Sequence, residues 1–415
     1  MQSGRAVSPQ VASPAREAGT IDRWLASRVQ QVMDPANVRL ELWDCSSPYD
    51  SSRQAIGDLI VRDRRTLVGL ATNPDLWFGE AYMKGRLDVR GPLDNVVEAL
   101  SRVSLSRPTW RERVARILAL PTSLRAARDN VHHHYDLGNS FYQGWLDRDL
   151  VYTCAYFEDP EGSLEDAQRA KLDLVCRKLR LRAGESVIEA GCGWGALALY
   201  MARHYGVSVK AFNVSGEQLG YARERARREG LTERVEFIDD DYRNVTGRYD
   251  VFVSIGMLEH VGLRHFDTLA VVLRRTVRRD GGRGLLHFIG RDVPRPLNTW
   301  IRRRIFPGAY TPTLAEVTER VVGPADMSVL DVENLRLHYA RTLEHWGERF
   351  AGRRREVSER FGEEFARAWE LYLVGSEAAF ATGWLQLFQV LFAPRESAPP
   401  AWTRQDIYNP AGAGA

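Results

Sequence analysis

The chain reads as an α/β protein whose main body is a doubly wound parallel sheet, with a smaller α+β unit ahead of it. Three observations predict this. From about residue 164, apolar runs of strand length alternate with helical segments, the pattern of parallel strands joined by helical crossovers. A glycine-rich turn, Gly191-Cys192-Gly193-Trp194-Gly195, stands where a strand gives way to a helix. The length of 415 residues exceeds the size at which one core keeps growing, so two domains are expected.

The elements follow in order. Met1 to Asp22 is rich in Ser, Pro, Gly and Ala and has no apolar stretch of signal-peptide type, so residues 1–20 read as a loose tail. Ile21 to Met33 has the spacing of a short amphipathic helix, and Val38 to Trp43 and Ala55 to Val61 alternate as strands do. Thr66 to Leu100, punctuated by Asn73-Pro74, Gly85 and Gly91-Pro92, completes a small unit over 21–125. Arg111 to Ala127 follows as a basic helical segment, the linker region between the two domains, with the boundary near residue 125 and the main unit over 126–395. There the strands are Ser186 to Glu189, Ser208 to Phe212, Val235 to Ile238, Val251 to Ile255 and Gly284 to Ile289, with helices at Leu197 to His204 and Gly216 to Gly230. Phe380 to Phe392 is densely apolar and reads either as a packed C-terminal core helix or as one wall of an apolar channel. Residues 396–415, rich in Pro, Ala and Gly, read as a flexible tail.

Composition narrows the function. A hydrophobic fraction of 44% with 27% charged residues is that of an ordinary globular protein. A net charge of +3 is too small to call for a polyanion such as nucleic acid. Arginine clusters at Arg274 to Arg283, Arg302 to Arg304 and Arg353 to Arg355 are either solvated helix faces or contacts for anionic lipid headgroups. Cys45, Cys154, Cys176 and Cys192 form no disulfide framework, which fits a reducing cytoplasm. No apolar run reaches the length that crosses a bilayer, so any contact with lipid is expected from the surface. The His132-His133-His134 run has no companion ligand cluster of zinc-like spacing, so no metal is expected.

The glycine-rich turn lets the backbone approach a ligand without Cβ atoms in the way. It is not the G-x-G-x-x-G of dinucleotide folds, and Asn213 stands near the place where those folds carry an acid, which disfavours a nicotinamide cofactor. Two further polar segments fall at carboxyl ends of strands, where open α/β sheets bind ligands. Asn213-Val214-Ser215-Gly216-Glu217-Gln218 follows the second strand and suits ribose hydroxyls. Asp239-Asp240-Asp241-Tyr242 follows the third and suits an adenine, through an acid and a ring.

The blocks His134-Tyr135-Asp136-Leu137-Gly138, Tyr152-Thr153-Cys154-Ala155-Tyr156-Phe157, Gly191-Cys192-Gly193-Trp194-Gly195 and Ser254-Ile255-Gly256-Met257-Leu258-Glu259-His260-Val261-Gly262 resemble the cyclopropane-fatty-acid synthases, over residues 130 to 393. Gly79-Glu80-Ala81-Tyr82-Met83-Lys84-Gly85 is similar to the extra domain of the phospholipid-acting members. The resemblance implies a Rossmann-like methyltransferase sheet, S-adenosylmethionine as methyl donor, an unsaturated phospholipid as substrate and a homodimer working at the cytoplasmic membrane surface. It implies cofactor contacts from Tyr152, Thr153, Gly191, Gly193, Gln218, Asp241 and Tyr242, with Cys192 and Asn213 in the same loops. It also implies that Cys154, Glu259, His287, Ile289 through its backbone, and Tyr339 hold a bicarbonate ion beside the reacting centre. Two positions depart from the family pattern. Ser376 stands where relatives carry a cysteine, which favours the bicarbonate account over a thiol-based one, and Asn213 replaces a threonine.

Such a set suits methyl transfer to an alkene. The alkene is a poor nucleophile and must be pressed in line against the sulfonium methyl, and the carbocation that follows needs dry surroundings, aromatic faces or anions, and a base. Tyr156, Phe157, Tyr310 and Trp346 are candidate wall residues by the cation–π argument. Three alternatives stand beside ring formation: a lipid C-methyltransferase giving a methyl- or methylene-branched chain, a non-catalytic lipid-binding relative, and a small-molecule N- or O-methyltransferase. Cys154, Cys192 and His287 also have the plainer reading of satisfied core residues.

Overall fold

The computed structural model describes residues 17–103, 137–397 and 402–408. The Arg111 to Ala127 segment, the three consecutive histidines, Tyr135 and Asp136 lie outside the described residues. Two compact units divide the chain, Met1–Ser104 and Leu105–Ala415.

In the first unit the described elements are α1 (Thr20–Met33), β1 (Val38–Glu41), β2 (Gly57–Val61), α2 (Arg64–Thr72), α3 (Pro74–Met83), β3 (Leu87–Arg90) and α4 (Leu93–Val103). The strands form one sheet in the order β1-β2-β3, with β1 parallel and β3 antiparallel to the buried β2. Side-chain caps set the helix starts. Asp63 accepts from Thr66 N at 2.8 Å ahead of α2, and Asn73 accepts from Leu76 N at 3.3 Å ahead of α3. Pro74 opens α3, where a missing N–H leaves no bond unmade.

The second unit contains α5 (Asn139–Tyr142), α6 (Leu164–Leu179), β4 (Ser186–Ala190), α7 (Ala196–Tyr205), β5 (Ser208–Asn213), α8 (Gly216–Arg228), β6 (Val235–Asp239), β7 (Val251–Ile255), α9 (Leu258–Val261), α10 (Phe266–Thr276), β8 (Arg283–Gly290), α11 (Thr299–Arg304), α12 (Leu314–Val317), β9 (Met327–Asn334), α13 (Arg336–Phe361), α14 (Glu363–Thr382), β10 (Gln386–Pro394) and α15 (Gln405–Tyr408). Its seven strands run β6-β5-β4-β7-β8-β10-β9. The first five are parallel, while β10 is antiparallel to both β8 and β9. One face packs under α6, α7 and α8 in a core that includes Val175, Leu197, Ala222, Val187 and Val253. The other packs under α10, with Leu269 and Leu273 against Ile188, Phe252 and Phe288. The sheet is thus doubly wound as expected. Strand order reverses between β4 and β7, which leaves a crevice at their carboxyl ends.

Two expectations need correction. Phe380 to Phe392 is not a core helix: α14 ends at Thr382, Gly383 turns the chain with φ +89°, and Gln386–Pro394 is a strand. The run is apolar but for its buried glutamines because β10 is buried between two neighbours and on both faces, a pattern that periodicity does not separate from a buried helix. The C-terminal segment expected to be a flexible tail also contains an anchored stretch. Ile407 is buried, Arg180 pairs with Asp406 at 2.9 Å, and Arg404 pairs with Asp331 of β9. Ile407→Ala is expected to cost about 1–3 kcal/mol, read as a lower urea midpoint of the second unit; an unchanged midpoint would show that the stretch contributes nothing to stability.

Candidate active site

After β4 the chain turns through Gly191, Gly193 and Gly195, with φ of +81°, +53° and +82°, a region that L side chains rarely adopt. A Cβ on Gly195 would stand 2.6 Å from the Phe237 ring, and one on Gly191 would stand 2.9 Å from Met257 Cβ. At Gly193 an added Cβ meets nothing within 4 Å; it would project into open space beside the cleft. The turn is held because the amides of Gly191 and Cys192 both donate to Phe212 O of β5, at 2.9 and 3.1 Å.

Every residue expected to contact a nucleotide-bearing cofactor lines this one cleft: Tyr152, Thr153, Gly191, Cys192, Gly193, Asn213, Gln218, Asp241 and Tyr242. Their present partners differ in kind. Asn213 works as a brace, donating to Gln218 Oε1 at 2.7 Å and Gly193 O at 3.3 Å while accepting from Val214 N at 2.9 Å. Asp241 is chelated by Arg243, whose Nε and Nη2 approach its two oxygens at 2.7 and 2.9 Å. The Tyr242 hydroxyl is buried without a partner. A glycine backbone open to the cleft, a buried phenol with free hydrogen-bonding capacity and a ring of amides and carboxylates fit a nucleoside with an amino-acid tail.

Three of the residues expected to hold an anion, Glu259, His287 and Ile289, meet at the carboxyl end of β8. The β7 to β8 ladder runs as far as the pair Ile255 and His287, and Gly256 N donates to His287 O at 2.8 Å. The next amide in that direction, Ile289 N, donates to Glu259 Oε1 at 2.6 Å. Glu259 lies on the short α9 between Met257 and His260, both of which line the cleft. Its second oxygen is buried without a partner, as is His287 Nε2. Burial pushes the Glu259 carboxyl up to about 7, and burial with the charges of Lys171 and Lys178 holds His287 well below the usual imidazole range. Tyr339, one turn into α13, packs its ring 4.4 Å from Phe380 and 6.0 Å from Trp346.

Cys154 is fully buried, and its thiol donates to Ala155 O at 3.1 Å. Burial drives that thiol far above its ordinary range, so it stays protonated and is no nucleophile. Among the expected wall residues, Trp346 joins Tyr152 at 5.3 Å and Tyr339. Tyr156 and Phe157 instead stack on His338 and His345 of α13 at 4.7 and 5.4 Å, and Tyr310 donates to Glu316 at 2.9 Å. Ser376 lies on α14 midway between Tyr372 and Phe380, which touch Tyr152 and Tyr339.

Sequence reading missed the buried lysines. Lys171 of α6 donates to Thr153 Oγ1 at 2.8 Å; burial lowers its pKa, while the carboxyls of Asp147 and Glu189 pull it the other way. Glu189, at the end of β4, lines the same cleft and is pushed up by burial against the pull of Lys171. Lys171 and Lys178 recur at a helical spacing on the buried stripe of α6, and a lysine at a core position is the signal that sequence alone offered.

Residues 122–390 match the family described as mycolic acid cyclopropane synthetase, and residues 27–107 match a domain of unknown function, DUF7884. The chain is 36% identical to a probable fatty acid methyltransferase of Pseudomonas putida, over 89% of this chain and 96% of that one. It is 36% identical to the cyclopropane-fatty-acyl-phospholipid synthase of Escherichia coli K12, over 84% and 95%. Among solved structures, the cyclopropane synthase MmaA2 from Mycobacterium tuberculosis aligns with a TM-score of 0.61 at 29% identity, covering 64% of this chain and 98% of that one. The mycolic acid cyclopropane synthase CmaA1 complexed with SAH and CTAB aligns at 0.60 and 28%, covering 64% and 97%.

A carboxyl whose pKa rises from 4.5 to about 7 on folding stabilises the fold most below pH 4.5, and that contribution is lost as pH climbs through 7. Glu259→Gln keeps an acceptor for Ile289 N and removes the titration. The ligand-free variant is expected to exceed the parent protein by about 3 kcal/mol at pH 8 and by under about 1 kcal/mol at pH 5, from urea midpoints. A pH-independent difference would sink the buried-carboxyl account.

Proposed function

The chain belongs to the mycolic acid cyclopropane synthetase family of S-adenosylmethionine-dependent methyltransferases, and from that premise we propose that it converts the double bond of an unsaturated phospholipid acyl chain into a cyclopropane ring. The observation that carries the reading is the pair of buried, unpartnered atoms Glu259 Oε2 and His287 Nε2 at the carboxyl end of β8, where the cofactor cleft also opens onto Met257 and His260. Leaving two such groups unsatisfied costs about 1–3 kcal/mol each. A small anion able to accept and donate hydrogen bonds would satisfy both.

S-adenosylmethionine supplies an electrophilic methyl when bound, and bicarbonate would supply the base that takes a proton as the ring closes. The chain's own residues set the stage. Gly191 and Gly193 admit the ligand against bare backbone, and Tyr152, Gln218, Asp241 and Tyr242 would grip its ends. Glu259, His287, Tyr339 and the Ile289 amide would hold the anion, with Glu259 poised near neutrality to accept or donate. Cys154, buried and protonated, would serve only as a neutral side chain. Trp346, Tyr152, Tyr339 and Phe380 keep water away and offer ring faces to a cation formed on the substrate.

The choice of phospholipid rests on the first unit. The E. coli enzyme aligns over 95% of its length, both units included, whereas the mycolic acid synthases cover only 64% of this chain. Approach to the acyl chain is proposed from the membrane surface; among the described residues no helix is long and apolar enough to cross a bilayer.

Incubation with S-adenosylmethionine and oleoyl phospholipid vesicles is expected to add one CH2 and remove the olefin, by mass spectrometry of the acyl chains. Glu259→Gln is expected to lower that rate by roughly a hundred-fold or more. A retained olefin with added carbon overturns ring closure in favour of the branched product, an outcome the relatives named fatty acid methyltransferases keep open. Bicarbonate depletion is expected to slow turnover; a rate indifferent to it removes bicarbonate from the reaction.

A further inference from the structure

His287 Nδ1 lies 3.1 Å from Nε2 of Gln389, and the oxygen of the same amide accepts from Lys178 Nζ at 2.7 Å. Lys178 also pairs with Glu333. Strand register builds this row, since Gln389 of β10 stands opposite His287 of β8 on one side and opposite Glu333 of β9 on the other. Lys178 enters from α6, whose buried residues pack on the same face. His287, Gln389 and Lys178 are each no more than 2% exposed, so water does not compete for these bonds.

Hydrogen-bonding capacity fixes the protons. An ammonium has three donors and no acceptor; burial lowers the Lys178 pKa against the pull of Glu333, and the pairing with the Glu333 carboxylate holds the amine as a donor. The amide must therefore turn its oxygen to Lys178, which removes the usual flip ambiguity and aims its NH2 at the imidazole. An NH2 group only donates, so Nδ1 must be the bare nitrogen. The ring is neutral, with burial and two lysines opposing its cation, so its single proton sits on Nε2, the atom with no protein partner.

We propose that Gln389, oriented by Lys178, is a positioning residue that locks His287 in the Nε2–H tautomer, so that the ring presents a fixed hydrogen-bond donor to the reacting centre and cannot be the base that removes the proton. The proposal deepens the reading above and rests on it for the meaning of the donor. A tautomer is otherwise set by a ring's surroundings at small energetic cost; here the selection is made by a charge at the far end of an amide. His287 becomes a holder of negative charge, and proton removal falls to another group.

The test uses the full-length protein labelled with 15N at histidine, with the His287 resonances assigned by their loss in His287→Gln. The expected spectrum at pH 7.5 shows Nε2 protonated and Nδ1 bare. A Nδ1–H pattern, or a doubly protonated ring, overturns the proposal without reference to activity, and this arm needs no variant of Gln389. Gln389→Glu, nearly isosteric, offers only acceptors and keeps a partner for Lys178. It is expected to move the proton to Nδ1 or to protonate the ring, and to lower kcat roughly ten- to a hundred-fold with KM for S-adenosylmethionine unchanged. Gln389→Asn, which keeps a donor, is expected to recover part of kcat. A tautomer unmoved in Gln389→Glu overturns the proposal. A tautomer that moves while kcat stays level confirms the lock and overturns the reading that gives His287 a part in the reaction.

Discussion

Where β8 ends, the half-buried Ile289 amide and the buried Glu259 carboxylate meet at 2.6 Å. That amide is the next rung of the β7 to β8 ladder, and a side chain has taken it in place of a carbonyl. The exchange needs β7 to stop at Ile255, Gly256 to turn with φ +71°, and a single helical turn to return Glu259 to the strand end. A carboxyl delivered this way is fixed by strand register, which varies less than loop conformation does. It is also kept from water, which is why its proton affinity lies so far from that of a surface glutamate.

The same face of the sheet carries an unusual load of buried charge. α6 sends two lysines inward: Lys171 toward Thr153, Glu189 and Asp147, and Lys178 toward Gln389 and Glu333. Removing one member of such a set strands its partner in low dielectric at a cost of several kcal/mol, so the set persists only as a whole. The charges of both lysines reach His287 of β8, and Lys178 holds Gln389 of β10. Packing and electrostatics are therefore coupled here, and substitutions made to tidy the core would disturb the site.

The parallel strands and the glycine turn were legible in sequence to within about two residues at either end, because both rest on local signals: an apolar run, a turn residue, a helix cap. Asn213 and Asp241 were also found, although their side chains turn out to be engaged by Gln218 and Arg243. β9 was not found, since Met327–Asn334 is half polar and largely exposed along one edge. The pairing of Gln389 with His287 and Lys178 was beyond reach for a different reason. Those partners lie 102 and 211 residues away along the chain, and nothing local marks a glutamine as the neighbour of one particular histidine.

The strand order has a consequence for how the molecule is made. Among the described strands β10 comes last in sequence, yet it sits between β8 and β9, so β9 has no strand partner, and β8 none beyond β7, until Gln386–Pro394 has been made. A nascent chain emerging from the ribosome would hold β8 as an open apolar edge for a hundred residues' worth of translation, the kind of edge that recruits chaperones or pairs with other chains. The final strand then closes the sheet and delivers the amide that faces His287 in one event. Catalytic competence would arrive abruptly, as the closing step of assembly.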